Sequence, residues 1–222
     1  MNKSEVISRM TETGVIPVIR AASADEASRA IDALKAGGID VFEITMTVPG
    51  AIQLIEKLAA SYAAGDVLIG AGTVPDAQTA GECVSAGAQF IISPALNLDT
   101  ILFCNQSEIV VMPGALTPTE IVTAWNAGAD FVKVFPAGAL GGASYLKSLK
   151  APLPDIKLIP PGGVSLRTAA DFIKAGASAI GVGADLVDLE ALRNGRENLI
   201  AEKAREYLKI VKAARREAEA RA

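Results

Sequence analysis

Residues 126–135, NAGADFVKVF, pack the end of a helix, a glycine and a β-branched strand into ten positions. The phrase recurs as KAGGIDVFEIT (35–45), SAGAQFIIS (85–93) and KAGASAIGVG (174–183), with a weaker copy, AAGDVLIGAG (63–72). A glycine just past a helix adopts the left-handed conformation without a Cβ clash, so the chain can turn at once into the next strand. Each copy therefore reads as one joint of a βαβ chain.

Helix starts follow the strands. Ser23-Ala-Asp-Glu26 has the spacing of a capping box, and Thr117-Pro-Thr-Glu120 repeats it with Pro118 at the first helical position. Strands are predicted near 15–20, 40–45, 67–72, 89–93, 109–113, 131–135, 156–160 and 178–182, with helices between. Eight parallel strands joined by right-handed crossovers can close into a barrel or lie open in a doubly wound sheet. Their number, even spacing and unbroken order favour an α/β fold of the (β/α)8 TIM-barrel type. An extra N-terminal helix within 1–13 is expected to cover the barrel bottom. The whole chain, 1–222, is read as a single domain whose charged tail frays from about 215 to 222.

Composition removes much of the rest of chemistry. The 222 residues include no histidine, which excludes the Ser/His/Asp triad, the Cys/His dyad and the common zinc sites. Cys83 and Cys104 form no CxxC pair and read as small buried thiols. No clustered Asp/Glu motif suggests a metal, and no cofactor is expected. A net charge of −4 without a basic run argues against nucleic acid. The longest uncharged stretch, 83–98, contains Gln89, Pro94 and Asn97 and is no membrane span. The N-terminus lacks a secretory apolar core, so a cytoplasmic location is expected.

In NAGADFVKVF the period of two places Phe131, Lys133 and Phe135 on one face and Val132 and Val134 on the other. The valines suit the layer facing the helices, so Lys133 should point inward. The same alternation turns Val41, Glu43 and Thr45 of the second strand inward, and Val18 and Arg20 of the first. A lysine, a carboxylate and an arginine thus converge where barrels keep their chemistry, at the C-terminal strand ends. A buried salt-bridge network is the alternative for the same three groups. Apolar surroundings and Arg20 would both lower the lysine's pKa, and each unit raises its neutral, nucleophilic fraction tenfold. The expected outcome is an amine that attacks a carbonyl, with Glu43 shuttling protons.

Glycine-rich turns follow the last two strands, PPGGVS (160–165) and GVGAD (181–185), where barrels commonly hold a phosphate. The GAGTVP turn (70–75) places the Thr73 hydroxyl either at the barrel mouth or in a helix cap.

With these residues in view, the chain resembles the 2-keto-3-deoxy-6-phosphogluconate (KDPG) / 4-hydroxy-2-oxoglutarate (KHG) aldolase family of class I aldolases. The matching phrases are PVIR (17–20), FEITMTVP (42–49), IGAGTV (69–74), AGAQFIISP (86–94), MPGALTPTE (112–120), FVKVFPA (131–137), PGGV (161–164) and GVGADLV (181–187). The resemblance implies that Lys133 is the Schiff-base lysine and Glu43 the general acid/base. It implies that Arg20 and Thr73 position substrate, that Pro94 and Phe135 wall the pocket, and that Gly162, Gly163, Gly183 and Ala184 form the phosphate end. It further implies a homotrimer, a place in the Entner-Doudoroff pathway, and cleavage of a 2-keto-3-deoxy sugar acid phosphate to pyruvate and glyceraldehyde 3-phosphate, or of 4-hydroxy-2-oxoglutarate to pyruvate and glyoxylate.

Three positions depart from the pattern. Thr47 stands where some members carry an arginine for the pyruvate carboxylate, Pro161 where many carry a threonine that influences stereochemistry, and Ala184 where many carry a serine on the phosphate. The substrate alternatives are therefore 2-keto-3-deoxy-6-phosphogalactonate and an unphosphorylated 2-keto-3-deoxy acid. A phosphate-binding barrel isomerase shares the glycine turns without needing the amine, and a non-catalytic trimeric assembly barrel needs neither.

Overall fold

The architecture follows from how the joints repeat. A computed structural model describes residues 1–63 and 65–220. Helix α1 (Lys3–Thr13) precedes β1 (Val15–Ile19), α2 (Ala24–Ala36), β2 (Val41–Thr45), α3 (Ala51–Ser61), β3 (Leu68–Gly72), α4 (Ala77–Ser85), β4 (Phe90–Ile92) and α5 (Leu98–Gln106). Then come β5 (Val110–Met112), β6 (Gly114–Ala115), α6 (Pro118–Asn126), β7 (Val132–Val134), α7 (Ala143–Lys150), β8 (Leu158–Ile159), α8 (Ala169–Lys174), β9 (Ile180–Val182), α9 (Leu189–Arg193) and α10 (Glu197–Glu219).

The joints have the geometry their glycines suggest. Gly38, Gly87, Gly128 and Gly176 have φ of 96°, 99°, 95° and 98°. After each, a backbone N–H reaches back five residues to the helix: Ile39 to Leu34, Ala88 to Cys83, Ala129 to Ala124 and Ala177 to Phe172. That bond closes the helix C-terminus and aims the chain at the sheet. The weaker fifth copy contains Ala64, which lies outside the described residues.

All strand pairs are parallel, in the orders β5-β4-β3-β2-β1-β9 and β6-β7-β8. The sheet is strongly curled, and its two parts meet at both margins. On one side only Pro113 separates β5 from β6. Its carbonyl accepts from Lys133 N–H at 2.9 Å, and the Val111 carbonyl accepts from Asp130 N–H at 3.1 Å. On the other side Ser178 N–H donates to Leu158 O, Gly181 N–H donates to Pro160 O, and Pro161 bridges Gly181 in parallel. The strand expected over 109–113 is β5, and β6 follows as a separate short strand because Pro113 brings no N–H to the ladder.

Apolar side chains sort into two buried groups by strand alternation. Phe42, Ile44, Ile91, Val132, Val134, Ile180 and Val182 pack with the helices. Ile16, Val41, Leu68, Phe90, Ile92, Val110, Met112, Phe131 and Ile159 form the other group, joined by Val6 and Met10 of α1. Helix α1 thus adds its apolar face to the inside of the curl.

Local signals were overridden in two places. Ser23 caps α2 by accepting from Glu26 N–H at 3.1 Å, yet the Glu26 carboxylate does not complete a box. It accepts instead from Ala22 N–H and pairs with Arg193, Nε to Oε1 2.6 Å, because a cation offers a stronger partner than one more amide. The Thr117 box forms fully, with Pro118 at its start. Of the tail expected to fray from about 215, residues 215–219 are helical. The Arg215 guanidinium donates to the carbonyls of Thr11, Glu12 and Ser178, which fastens α10 to the end of α1. Residues 221 and 222 of that tail lie outside the described residues. No described helix is long and apolar enough to cross a membrane.

Candidate active site

Strand register brings the inward polar residues together. Val18 of β1 pairs with Glu43 of β2, and Lys133 of β7 lies between Gly114 of β6 and Ile159 of β8. Glu43 is 3% and Lys133 4% exposed. Both face a small space walled by Ile16, Ile92, Met112 and Ile159.

Two glycines make room for this interior. A Cβ on Gly72 would lie 2.0 Å from Glu43 Oε1, and one on Gly70 would lie 2.2 Å from the Phe90 ring. The GAG phrase of β3 is therefore a steric requirement of its neighbours. Gly72→Ala is expected to fold but displace the Glu43 carboxyl, lowering kcat by about 10²-fold with little change in KM. Steady-state kinetics check this, and an unchanged kcat would show that the carboxyl's placement does not matter.

Glu43 and Lys133 are cut off from solvent, whereas Arg20 is exposed. Among the described residues no ion pair within 4.0 Å links Lys133, Glu43 and Arg20, so these groups do not form the salt-bridge network of the alternative reading. Glu43 Oε1 is buried without a hydrogen-bond partner. Burial pushes the Glu43 carboxyl above its usual range, with the cations of Lys133 and Arg20 opposing. Burial also pushes the Lys133 ammonium below its usual range, Glu43 opposing and Arg20 assisting. An amine and a carboxyl are thus both driven toward their neutral forms within one apolar pocket, a pairing of perturbed groups that marks a candidate functional site. Lys133 Nζ lies 5.3 Å from the centre of the Phe135 ring, within cation–π range when the amine is protonated.

Above Lys133 opens a cavity of about 210 Å³. Its lining includes Arg20, Lys133, Phe135 and Pro161 together with Gly162, Gly163, Gly183 and Ala184. Gly162 and Gly163 have φ of 88° and 75°. A Cβ on Gly163 would lie 3.0 Å from the Gly138 Cα, so the turn holds its backbone where a side chain would not fit. A second cavity of about 300 Å³ shares Val18, Arg20, Gly183 and Ala184 with the first. A larger one, about 550 Å³, is lined by Glu12, Asp40 and Arg215 and opens at the opposite ends of the strands. It contains neither the buried amine nor the buried carboxyl.

Four residues of the sequence reading stand apart from the 210 Å³ lining: Glu43, which lines the small space beneath it, and Thr47, Thr73 and Pro94. The last three follow β2, β3 and β4 on the Glu43 side. Thr47 Oγ1 lies 2.7 Å from Thr45 Oγ1, which donates to Ile19 O. The Pro94 carbonyl approaches Gly114 so closely that a Cβ there would sit 2.3 Å away. Thr73 does not cap a helix; Asp76 does, accepting from Thr79 N–H at 2.8 Å. Thr73 instead has φ of 58°, an uncommon backbone for a β-branched residue. The lining also contains Val18, Val164 and Asp185, to which the sequence reading gave no binding role. Asp185 stood in the quoted GVGAD turn, and its charge beside two glycines was the available signal.

Known proteins are similar to the chain along most of its length. The family described as "Aldolase: KDPG and KHG aldolase" matches residues 6–202. A 2-dehydro-3-deoxy-phosphogluconate aldolase of Dickeya dadantii is 34% identical over 197 residues, 89% of this chain and 92% of that protein. The KHG/KDPG aldolase of Escherichia coli K12 is 31% identical over 210 residues, 95% and 98% of the two chains. Among solved structures, the KDPG aldolase of Legionella pneumophila, with pyruvate captured as a covalent carbinolamine intermediate, superposes with a TM-score of 0.82 at 33% identity, covering 90% of this chain and 96% of that one. The chain belongs to the KDPG and KHG aldolase family.

Proposed function

We propose that the chain is a class I aldolase that cleaves 2-keto-3-deoxy-6-phosphogluconate reversibly to pyruvate and glyceraldehyde 3-phosphate. The observation that carries this reading is Lys133: a buried amine, depressed in basicity, on the floor of a cavity and sharing an apolar space with an unpartnered carboxyl.

The neutral Lys133 amine adds to the C2 ketone to give a carbinolamine, which loses water to form an iminium. Glu43 removes the proton of the C4 hydroxyl. The C3–C4 bond breaks, its electron pair moving into the iminium to leave an enamine while C4 departs as the aldehyde. Glu43 returns the proton to C3, and water adds to the iminium to free pyruvate and restore the amine. Arg20 and Thr73 position the substrate, Thr47, Pro94, Phe135 and Pro161 shape the pocket around its reacting half, and Gly162, Gly163, Gly183 and Ala184 receive its far end.

The framework for these roles is a closed eight-stranded (β/α)8 barrel of one domain, in which β5 and β6 count as a single strand and α1 covers the bottom. The hydrogen bonds across both sheet margins support closure. The chain works in the cytoplasm as a homotrimer; Leu98 and Leu102 on α5, 51% and 56% exposed, are apolar surface that another copy would cover.

Borohydride reduction in the presence of pyruvate tests the assignment. The expected result is a stable mass increase of one reduced pyruvyl group, localised by peptide mapping to Lys133. An unmodified Lys133 peptide would remove the proposal.

A further inference from the structure

The far end of the cavity carries a carboxylate that the cleavage chemistry does not use. Asp185 lines the 210 Å³ cavity beside Gly162, Gly163 and Ala184. The Tyr207 hydroxyl, on α10 and fully buried, donates to Asp185 Oδ2 at 2.5 Å. We propose that Asp185, held in place by Tyr207, is a specificity-determining residue that loosens the grip of this end on a phosphate dianion and admits the hydroxyl end of an unphosphorylated 2-keto-3-deoxy acid. This deepens the aldolase reading above and rests on it.

The charged residues lining the two joined cavities are Arg20, Lys133, Asp185, Asp188 and Glu190. Asp188 is partnered: Lys203 Nζ lies 3.3 Å away, and Ala191 N–H donates to it. Glu190 lines only the second cavity, is exposed, and has no ion pair among the described residues. Asp185 receives its bond from a neutral phenol, which fixes the carboxylate without cancelling its charge. Burial, with Asp185 beside it, holds the Tyr207 phenol well above its usual pKa, so it stays a donor.

At 184 an alanine methyl offers no donor to a phosphate oxygen. The turn therefore meets the substrate's far end with glycine backbone, Arg20 and one fixed negative charge. A dianion is repelled by that charge, whereas a hydroxyl can donate to the free Oδ1. The repulsion offsets part of what Arg20 and the glycine turns contribute, so the site accepts both ends with a narrowed preference.

The test compares a phosphorylated 2-keto-3-deoxy acid with its unphosphorylated counterpart on the full chain, wild type and variants. Wild type is expected to cleave both. Asp185→Asn keeps an oxygen for Tyr207 and removes the charge. It is expected to raise the phosphorylated-to-unphosphorylated ratio of kcat/KM about tenfold, through KM rather than kcat. Inorganic phosphate should compete at a correspondingly lower concentration. Asp185→Ala should move the ratio in the same direction. Tyr207→Phe, which frees the carboxylate, should lower kcat/KM for the unphosphorylated acid while sparing the other.

A ratio within about twofold of wild type in both Asp185 variants, with inhibition by phosphate unchanged, overturns the inference alone. Failure of wild type to cleave either acid, with no borohydride adduct at Lys133, overturns the aldolase reading and the inference together.

Discussion

Lys133→Ala is expected to lower kcat/KM for the keto acid by on the order of 10⁵-fold or more, because the covalent route disappears with its nucleophile. The background left to the variant is what positioning by Arg20 and the glycine turns can supply. Pyruvate release in steady state measures the loss, and retention of more than a few per cent of activity would require another amine. The same position carries a second expected result. Burial places the folded-state pKa of Lys133 below the 10.5 of an ordinary lysine, so the folded chain holds that proton less tightly than the unfolded one. Stability is therefore reduced at all pH values below the folded pKa, and it recovers as pH rises from there toward 10.5. Lys133→Met, which fills the space without a charge, should resist denaturant better than wild type at pH 7, and the gap should narrow in alkaline solution. Denaturant midpoints across pH read this directly. A Met variant weaker at every pH would mean that the buried ammonium is better accommodated than its surroundings suggest.

Glu43→Gln is expected to cost about 10²–10⁴-fold in kcat, the usual worth of a positioned acid/base. The substitution preserves shape, so the tight contact with Gly72 remains satisfied. It also removes the carboxylate that raises the Lys133 pKa, which lowers that pKa further. Schiff-base formation should consequently survive: borohydride with pyruvate should still label Lys133, and the amine should begin to react at lower pH than in wild type. Slow turnover with intact labelling separates proton transfer from nucleophilic attack. Loss of both would mean that Glu43 holds the lysine in place rather than moving protons.

The parts of the fold written in short periods were legible from the sequence. Alternation alone placed Phe42 and Ile44 toward the helices and turned Glu43 and Lys133 inward, because strand geometry leaves a side chain only two directions. The glycine joints were equally plain, since left-handed backbone at Gly38, Gly87, Gly128 and Gly176 needs that residue. What escaped depended on partners remote in sequence. Glu26 left its box for Arg193, 167 residues away. Arg215 found the end of α1, and Tyr207 reached Asp185 across 22 residues from another element. No local pattern encodes such meetings. The site behaved likewise: the inward residues could be named, but the division of labour between the cavity wall and Thr47, Thr73 and Pro94 depends on the curl of the whole sheet.

The apolar floor made by Val6 and Met10 of α1 with the inner strand residues also has a kinetic meaning. With that end filled, substrate arrives and products depart through the mouth near Phe135 and Pro161. On the proposed mechanism, pyruvate is bonded to Lys133 at the inner end when the C3–C4 bond breaks, so the aldehyde, lying outward, leaves first. Release is then ordered: pyruvate leaves last and is the product that binds the free enzyme. In the synthetic direction it must enter before the aldehyde, and the aldehyde finds no productive place until the enamine is waiting.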